Sequence, residues 1–81
     1  MNPQVEMINK VNEMYDHKCV CNYKDNKYTK GSIILTHCVA FTNPTTQKEE
    51  CVAYIHFGDE KLTKEVDVII SGDELTFIDR E

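Results

Sequence analysis

Eighty-one residues, 41% hydrophobic and 28% charged, suffice for one domain with a modest core and leave no room for a second. That balance argues against disorder, and no apolar run approaches the roughly 18–20 residues of a membrane span. The net charge of −5 is polarised: residues 1–48 carry six lysines against four acids, and residues 49–81 carry ten acids against three bases, which suits a basic partner and disfavours nucleic acid on the acidic side.

Asn2-Pro3 opens the chain with a good N-cap and a proline suited to the first helical position. Val5, Ile8, Val11 and Tyr15 follow at helical spacing, flanked by Met7 and Met14, while Asn9, Lys10, Asn12 and Glu13 fall on the other side. This predicts an amphipathic helix over residues 3–16. After His17 the period changes to two, with Cys19, Cys21 and Tyr23 alternating with Val20, Asn22 and Lys24. Asp25-Asn26-Lys27 reads as a turn. Further strands are expected at about 30–42, 49–57, 62–70 and 75–79, after a first at about 18–24. They are separated by Asn43–Gln47, Gly58–Lys61 and Ser71–Glu74. The expectation is one α+β domain over 1–81: an N-terminal helix on a five-stranded antiparallel meander that curls toward a partial barrel.

Hydrophobic alternation fixes the expected register. It pairs Phe57 with Leu62, Ile55 with Lys64, Ala53 with Val66 and Cys51 with Val68, then Ile70 with Leu75 and Val68 with Phe77. Across the Asn-Pro loop, Phe57, Ile55, Ala53 and Cys51 face Ile33, Leu35, His37 and Val39, and Cys19 lies beside Ile33. The helix covers this face. The other face carries Val20, Ile34, Cys38, Ala40, Val52, Tyr54, Ile69 and Ile78 among Asn22, Thr36, His56 and Asp67. It is more apolar than a water-facing sheet surface usually is, so it is expected either to curl inward or to dock on a second copy or another protein.

The polar start MNPQVEMINK has no secretory pattern. Asn43-Pro44-Thr45 is blocked as a glycosylation acceptor by its proline. Four cysteines without a leader are therefore expected to remain thiols in the cytoplasm. His17, Cys19, Cys21, His37, Cys38, Cys51 and His56 supply enough ligands for zinc, but Cys19 and Cys21 lack the Cys-x2–4-Cys spacing of structural sites. The expectation is no metal, no cofactor, buried thiols and a hydrogen-bonded core His37. Cys51 and His37 as diagonal neighbours could form a dyad, but beneath the helix and away from substrate. No calcium loop or phosphate-cradling glycine loop is present. No catalytic signature emerges, and the chain is read as non-enzymatic.

Two surfaces are candidates for binding. The first combines the acidic residues Asp59, Glu60, Asp73, Glu74, Glu65 and Asp67 with Val52 and Tyr54 on the outer face. The second is the hairpin carrying Tyr23, Lys24, Lys27, Tyr28 and Lys30, where lysines interleave with tyrosines and could touch phosphate and stack on bases. The stretches CNYKDNKYTKGSI and CVAYIHFGDEKLTKEVDVI resemble the strand rhythm of SH3-like, Tudor-type barrels. That resemblance implies Tyr23, Tyr28, Tyr54 and Phe57 as aromatic-cage candidates, although the expected register points Tyr54 and Phe57 to opposite faces. The leading expectation is a small acidic binding protein acting stoichiometrically on a protein with a basic surface. Phage and mobile elements encode such inhibitors of host machinery, nucleic-acid mimics of anti-CRISPR type included. The alternative is a nucleic-acid-binding or Tudor-like module using the hairpin.

Overall fold

The computed structural model describes residues 2–29 and 31–80. Helix α1 spans Pro3–Asp16. The Asn2 side chain accepts hydrogen bonds from the backbone N–H groups of Gln4 and Val5 at 2.9 and 3.4 Å, which occupies two donors that the first turn leaves unpaired. The helix stops in a Schellman arrangement: Cys19 N–H donates to Met14 C=O and Lys18 N–H to Tyr15 C=O. Lys18 takes the left-handed conformation (φ 60°) that this motif requires, a place more often held by glycine. The buried stripe is centred on Val11 and Tyr15, with Met7 and Met14 packed beside them, whereas Val5 is half exposed.

Among the described residues six strands form one sheet: β1 Cys21–Tyr23, β2 Asn26–Tyr28, β3 Ile33–Thr42, β4 Glu49–Phe57, β5 Lys64–Ser71 and β6 Glu74–Asp79. Their order is β2-β1-β6-β5-β4-β3. The segment β3–β6 is the expected antiparallel meander, and its ladders carry the expected Cys51–Val68, Ala53–Val66, Ile55–Lys64, Val68–Phe77 and Ile70–Leu75 pairs.

The N-terminal third departs from expectation. β1 and β2 are joined by a two-residue turn, Lys24-Asp25, with both residues at positive φ. Such a turn matches the twist of a tight hairpin. The predicted strand at about 18–24 is shortened to Cys21–Tyr23, and a strand that was not expected, β2, takes Asn26 and Lys27 out of the predicted turn. Cys19 does not lie beside Ile33, because β1 runs parallel to β6, with Cys21 against Leu75 and Tyr23 against Phe77. The sheet is mixed and six-stranded. Leu62 also drops out of the ladder: β5 starts at Lys64, so Phe57 has no Leu62 partner, and Leu62 is 79% exposed.

The sheet is open, with β2 and β3 as its edges, but it cannot be flat. Only four residues separate Tyr28 from Ile33, a span of at most about 18 Å over five Cα steps. Edges of a flat six-stranded sheet would stand about 24 Å apart. The curl brings β1 and β2 toward the end of β4, where the Tyr23 and Tyr28 rings lie 5.6 and 5.3 Å from Phe57. The core fills the concave side: Val11 and Tyr15 from α1 meet Cys21, Tyr23, Ile33, Cys51, Ala53, Ile55, Val66, Val68, Leu75 and Phe77.

A bulge in β3 decides which side chains join that core. Ile33 pairs with Phe57 and Leu35 with Ile55, but the register then slips at Thr36, so that His37 pairs with Tyr54, Cys38 with Ala53 and Val39 with Val52. The extra residue reverses the facing of everything beyond it. His37 therefore faces outward and Cys38 inward, each opposite to expectation, and the expected pairs His37–Ala53 and Val39–Cys51 do not form.

Candidate binding surfaces

The outer face is a grid set by these ladders. One row runs His37–Tyr54–Glu65, and the next runs Val39–Val52–Asp67–Ile78 across four strands. Ile69 is the diagonal neighbour of Ile78. Val39, Ile69 and Ile78 are exposed, while Tyr54 and Phe41 are half-buried. The His37 ring stacks on Tyr54 at 6.0 Å, so His37 cannot form the dyad with Cys51. Ile69, Ile78 and Asp67 meet residues of the helix side, Met7, Val11 and Cys51 among them, around a concavity of about 430 Å³.

Val52 points to this face yet is only 4% exposed. It pairs with Asp67. The Asp67 carboxylate accepts from Arg80 Nη1 at 2.6 Å, Glu65 lies 3.8 Å from Arg80 Nε, and the guanidinium rests 5.9 Å from the Phe41 ring centre. The guanidinium thus spans from β5 toward β3 across the position of Val52. Glu65, Asp67, Tyr54 and Val52 are brought together on one face as expected, but Val52 lies beneath the span and Arg80 neutralises much of the local acidity. Arg80 is a residue of this face that strand alternation did not single out.

The acidic loops do not form one surface. Asp59 and Glu60 lie in the connection before β5, and Asp73 lies in the turn after it. The eight residues of β5 separate them by about 26 Å. Glu74 is tied inward, with Oε1 accepting from Asn22 Nδ2 at 2.9 Å and from Lys27 Nζ at 3.0 Å. Those two contacts, Asn22 first, hold its carboxyl below the usual range.

The hairpin is likewise engaged with its own chain. Tyr23 is 4% exposed and its hydroxyl donates to Asp79 Oδ1 at 2.7 Å. Lys24 Nζ lies 3.3 Å from Asp79 Oδ2. The Tyr23 hydrogen bond, and then Lys24, lower the Asp79 pKa. Tyr23, Tyr28 and Phe57 do gather into an aromatic cluster, and the cations on it are the chain's own: Lys64 lies 5.7 and 5.4 Å from the Tyr23 and Phe57 ring centres and Lys24 5.4 Å from that of Tyr23. Tyr54 is on the opposite face. Lys30 lies outside the described residues.

Among the described residues no group of three or more His, Cys, Asp and Glu side chains is placed to hold a metal ion. The β3 bulge instead brings two thiols together: Cys38 Sγ and Cys51 Sγ are 2.8 Å apart. Strand alternation placed them on opposite faces, and no local sequence signal marks the bulge that unites them. Compared with protein-family models, curated proteins and solved structures, the chain matches none.

Proposed function

We propose that the chain is a non-enzymatic binding protein whose outer sheet face docks stoichiometrically on another protein. The observation that carries this reading is the exposure of Val39, Ile69 and Ile78 on a face that α1 does not cover, beside the half-buried Tyr54. Ile69 and Ile78 are diagonal neighbours, and Val39 stands at the far end of the Ile78 row; large apolar side chains left in water forgo about 25 cal/mol per Å² of favourable burial until something covers them. Glu50, Glu65 and Asp67 outnumber Arg80 on that face, which favours a partner with basic groups around an apolar centre. A phage or mobile-element inhibitor of host machinery is one setting for such a domain. Within that setting the apolar face supports protein docking better than phosphate mimicry, because Glu65, Asp67, Glu74 and Asp79 all engage cations of the same chain.

The test is reconstitution. A partner captured by cross-linking should bind the purified chain at 1:1 in calorimetry. Ile69→Arg and Ile78→Arg should weaken binding at least tenfold while leaving the thermal melt unchanged. Unchanged affinity in both variants, with Lys24→Glu and Lys27→Glu abolishing binding, would transfer the site to the hairpin. Self-association lost in the same Ile variants would identify the partner as a second copy.

A further inference from the structure

Cys38 and Cys51 point to the helix side of the sheet, opposite the side of Val39 and Tyr54. They are diagonal neighbours on the inner side of the β3–β4 ladder, Cys38 paired with Ala53 and Cys51 with Ala40. Their sulfurs, 2.8 Å apart, are closer than the about 3.5–4.0 Å at which unbonded carbon atoms pack. They are also within about 0.8 Å of the separation in a disulfide. Cys51 is buried at 2% exposure, while Cys38 sits on the edge strand and keeps partial access to solvent.

We infer that Cys38 and Cys51 are a reversible redox pair that a small-molecule disulfide, such as oxidised glutathione, converts to an intramolecular disulfide. The roles follow from the surroundings. Cys38, on the edge strand and partly open to solvent, is the thiol an oxidant can reach, and the hydrogen bond the two thiols share lowers the Cys38 pKa against its burial while that bond and burial raise the pKa of Cys51. Cys38 thiolate attacks one sulfur of the oxidant, forms a mixed disulfide and releases one glutathione thiolate. Cys51 gives up its proton and attacks the Cys38 sulfur, expelling the second glutathione. Two electrons pass from the protein thiols to the oxidant, leaving one protein disulfide and two small thiols.

Diagonal neighbours start with Cα atoms about 7–8 Å apart, wider than the 4.4–6.8 Å of ordinary disulfides. The ladder must draw in to close the bond, and a strained bond is readily reduced again. Closure would staple the β3 edge, with its exposed Val39, to β4.

The full chain supplies its own assay. Trypsin cuts after Lys30, Lys48 and Lys61, so Cys38 and Cys51 fall on different peptides, residues 31–48 and 49–61, while Cys19 and Cys21 share residues 19–24. After treatment with oxidised glutathione, the expected product is peptide 31–48 joined to 49–61, separable by dithiothreitol, with two of the four thiols lost. Cys51→Ser should stop at a stable glutathione adduct on Cys38, and the double variant Cys19→Ser with Cys21→Ser should oxidise like the wild type. Survival of all four thiols, a link to peptide 19–24, or a persistent glutathione adduct on wild-type Cys38 would overturn the inference. If Cys51→Ser fails to fold, the wild-type peptide map alone decides.

Discussion

Tyr15 joins helix to sheet through a single oxygen. Its hydroxyl donates to Ile33 C=O at 2.8 Å and accepts from Leu35 N–H at 3.3 Å. Those groups lie on the unpaired side of edge strand β3, where a further strand would otherwise satisfy them. The helix thus blunts the first part of an exposed edge, the kind of template that invites wrong pairing. Tyr15→Phe keeps the ring and leaves both backbone groups without this partner. It should cost about 1–3 kcal/mol, measured as a lower urea midpoint, with increased hydrogen exchange at Leu35. The helical spacing already placed Tyr15 on the core stripe. Its bond to β3 was not readable, because the sequence does not say which strand lies under the helix.

At the scale of elements, the β3 bulge does most to separate expectation from structure. A single unpaired residue, Thr36, sits between the Leu35–Ile55 and His37–Tyr54 pairs, and its hydroxyl donates to Tyr54 C=O at 2.8 Å. Removing Thr36 would join the two halves in the register they already hold. Deletion of Thr36 should therefore leave the fold intact at a cost below about 2 kcal/mol. Deletion of Ala53, central in β4 and paired on both sides, should abolish cooperative melting, because it flips side chains against two neighbours at once. Circular dichroism melts of the two variants distinguish these outcomes. The hydrophobic pattern read the β4–β5 and β5–β6 registers because no residue is inserted within those ladders, although Leu62 lies outside β5 and Val52 is buried on the outer side. It misread His37 and Cys38 because alternation carries no record of an inserted residue. The β1–β2 hairpin was misplaced for a related reason: Cys21 and Tyr23 need only an apolar neighbour on their face, and Leu75 and Phe77 provide one as well as Ile33 does.

Across the whole molecule, β1 and β2 are fastened to β6 by short apolar strands and by carboxylates: Glu74 to Asn22 and Lys27, Asp79 to Tyr23 and Lys24. Both carboxyl pKa values are lowered in the folded state. Their contribution to stability is present above the unfolded values, near pH 4, and is lost as pH falls through the lower folded ones. Acidification below about pH 4 should therefore loosen this side of the sheet first. Carbon NMR titration should show both carboxyls protonating below their ordinary values, and Tyr23→Phe should return Asp79 toward its own. An ordinary titration of Asp79 in the wild type would remove this fastening from the account.

The sequence by itself determined the helix, its cap, four strands of the meander, most core residues and the apolar character of the outer face. All of these rest on periodicity and local backbone chemistry, which act over a few residues. Only the tertiary structure decided that β1 joins β6 in parallel, that Arg80 spans the outer face toward Phe41, and that Cys38 meets Cys51. Those outcomes depend on which distant segments share a neighbour and on one bulged residue, and alternation is satisfied equally well by the arrangements that did not form.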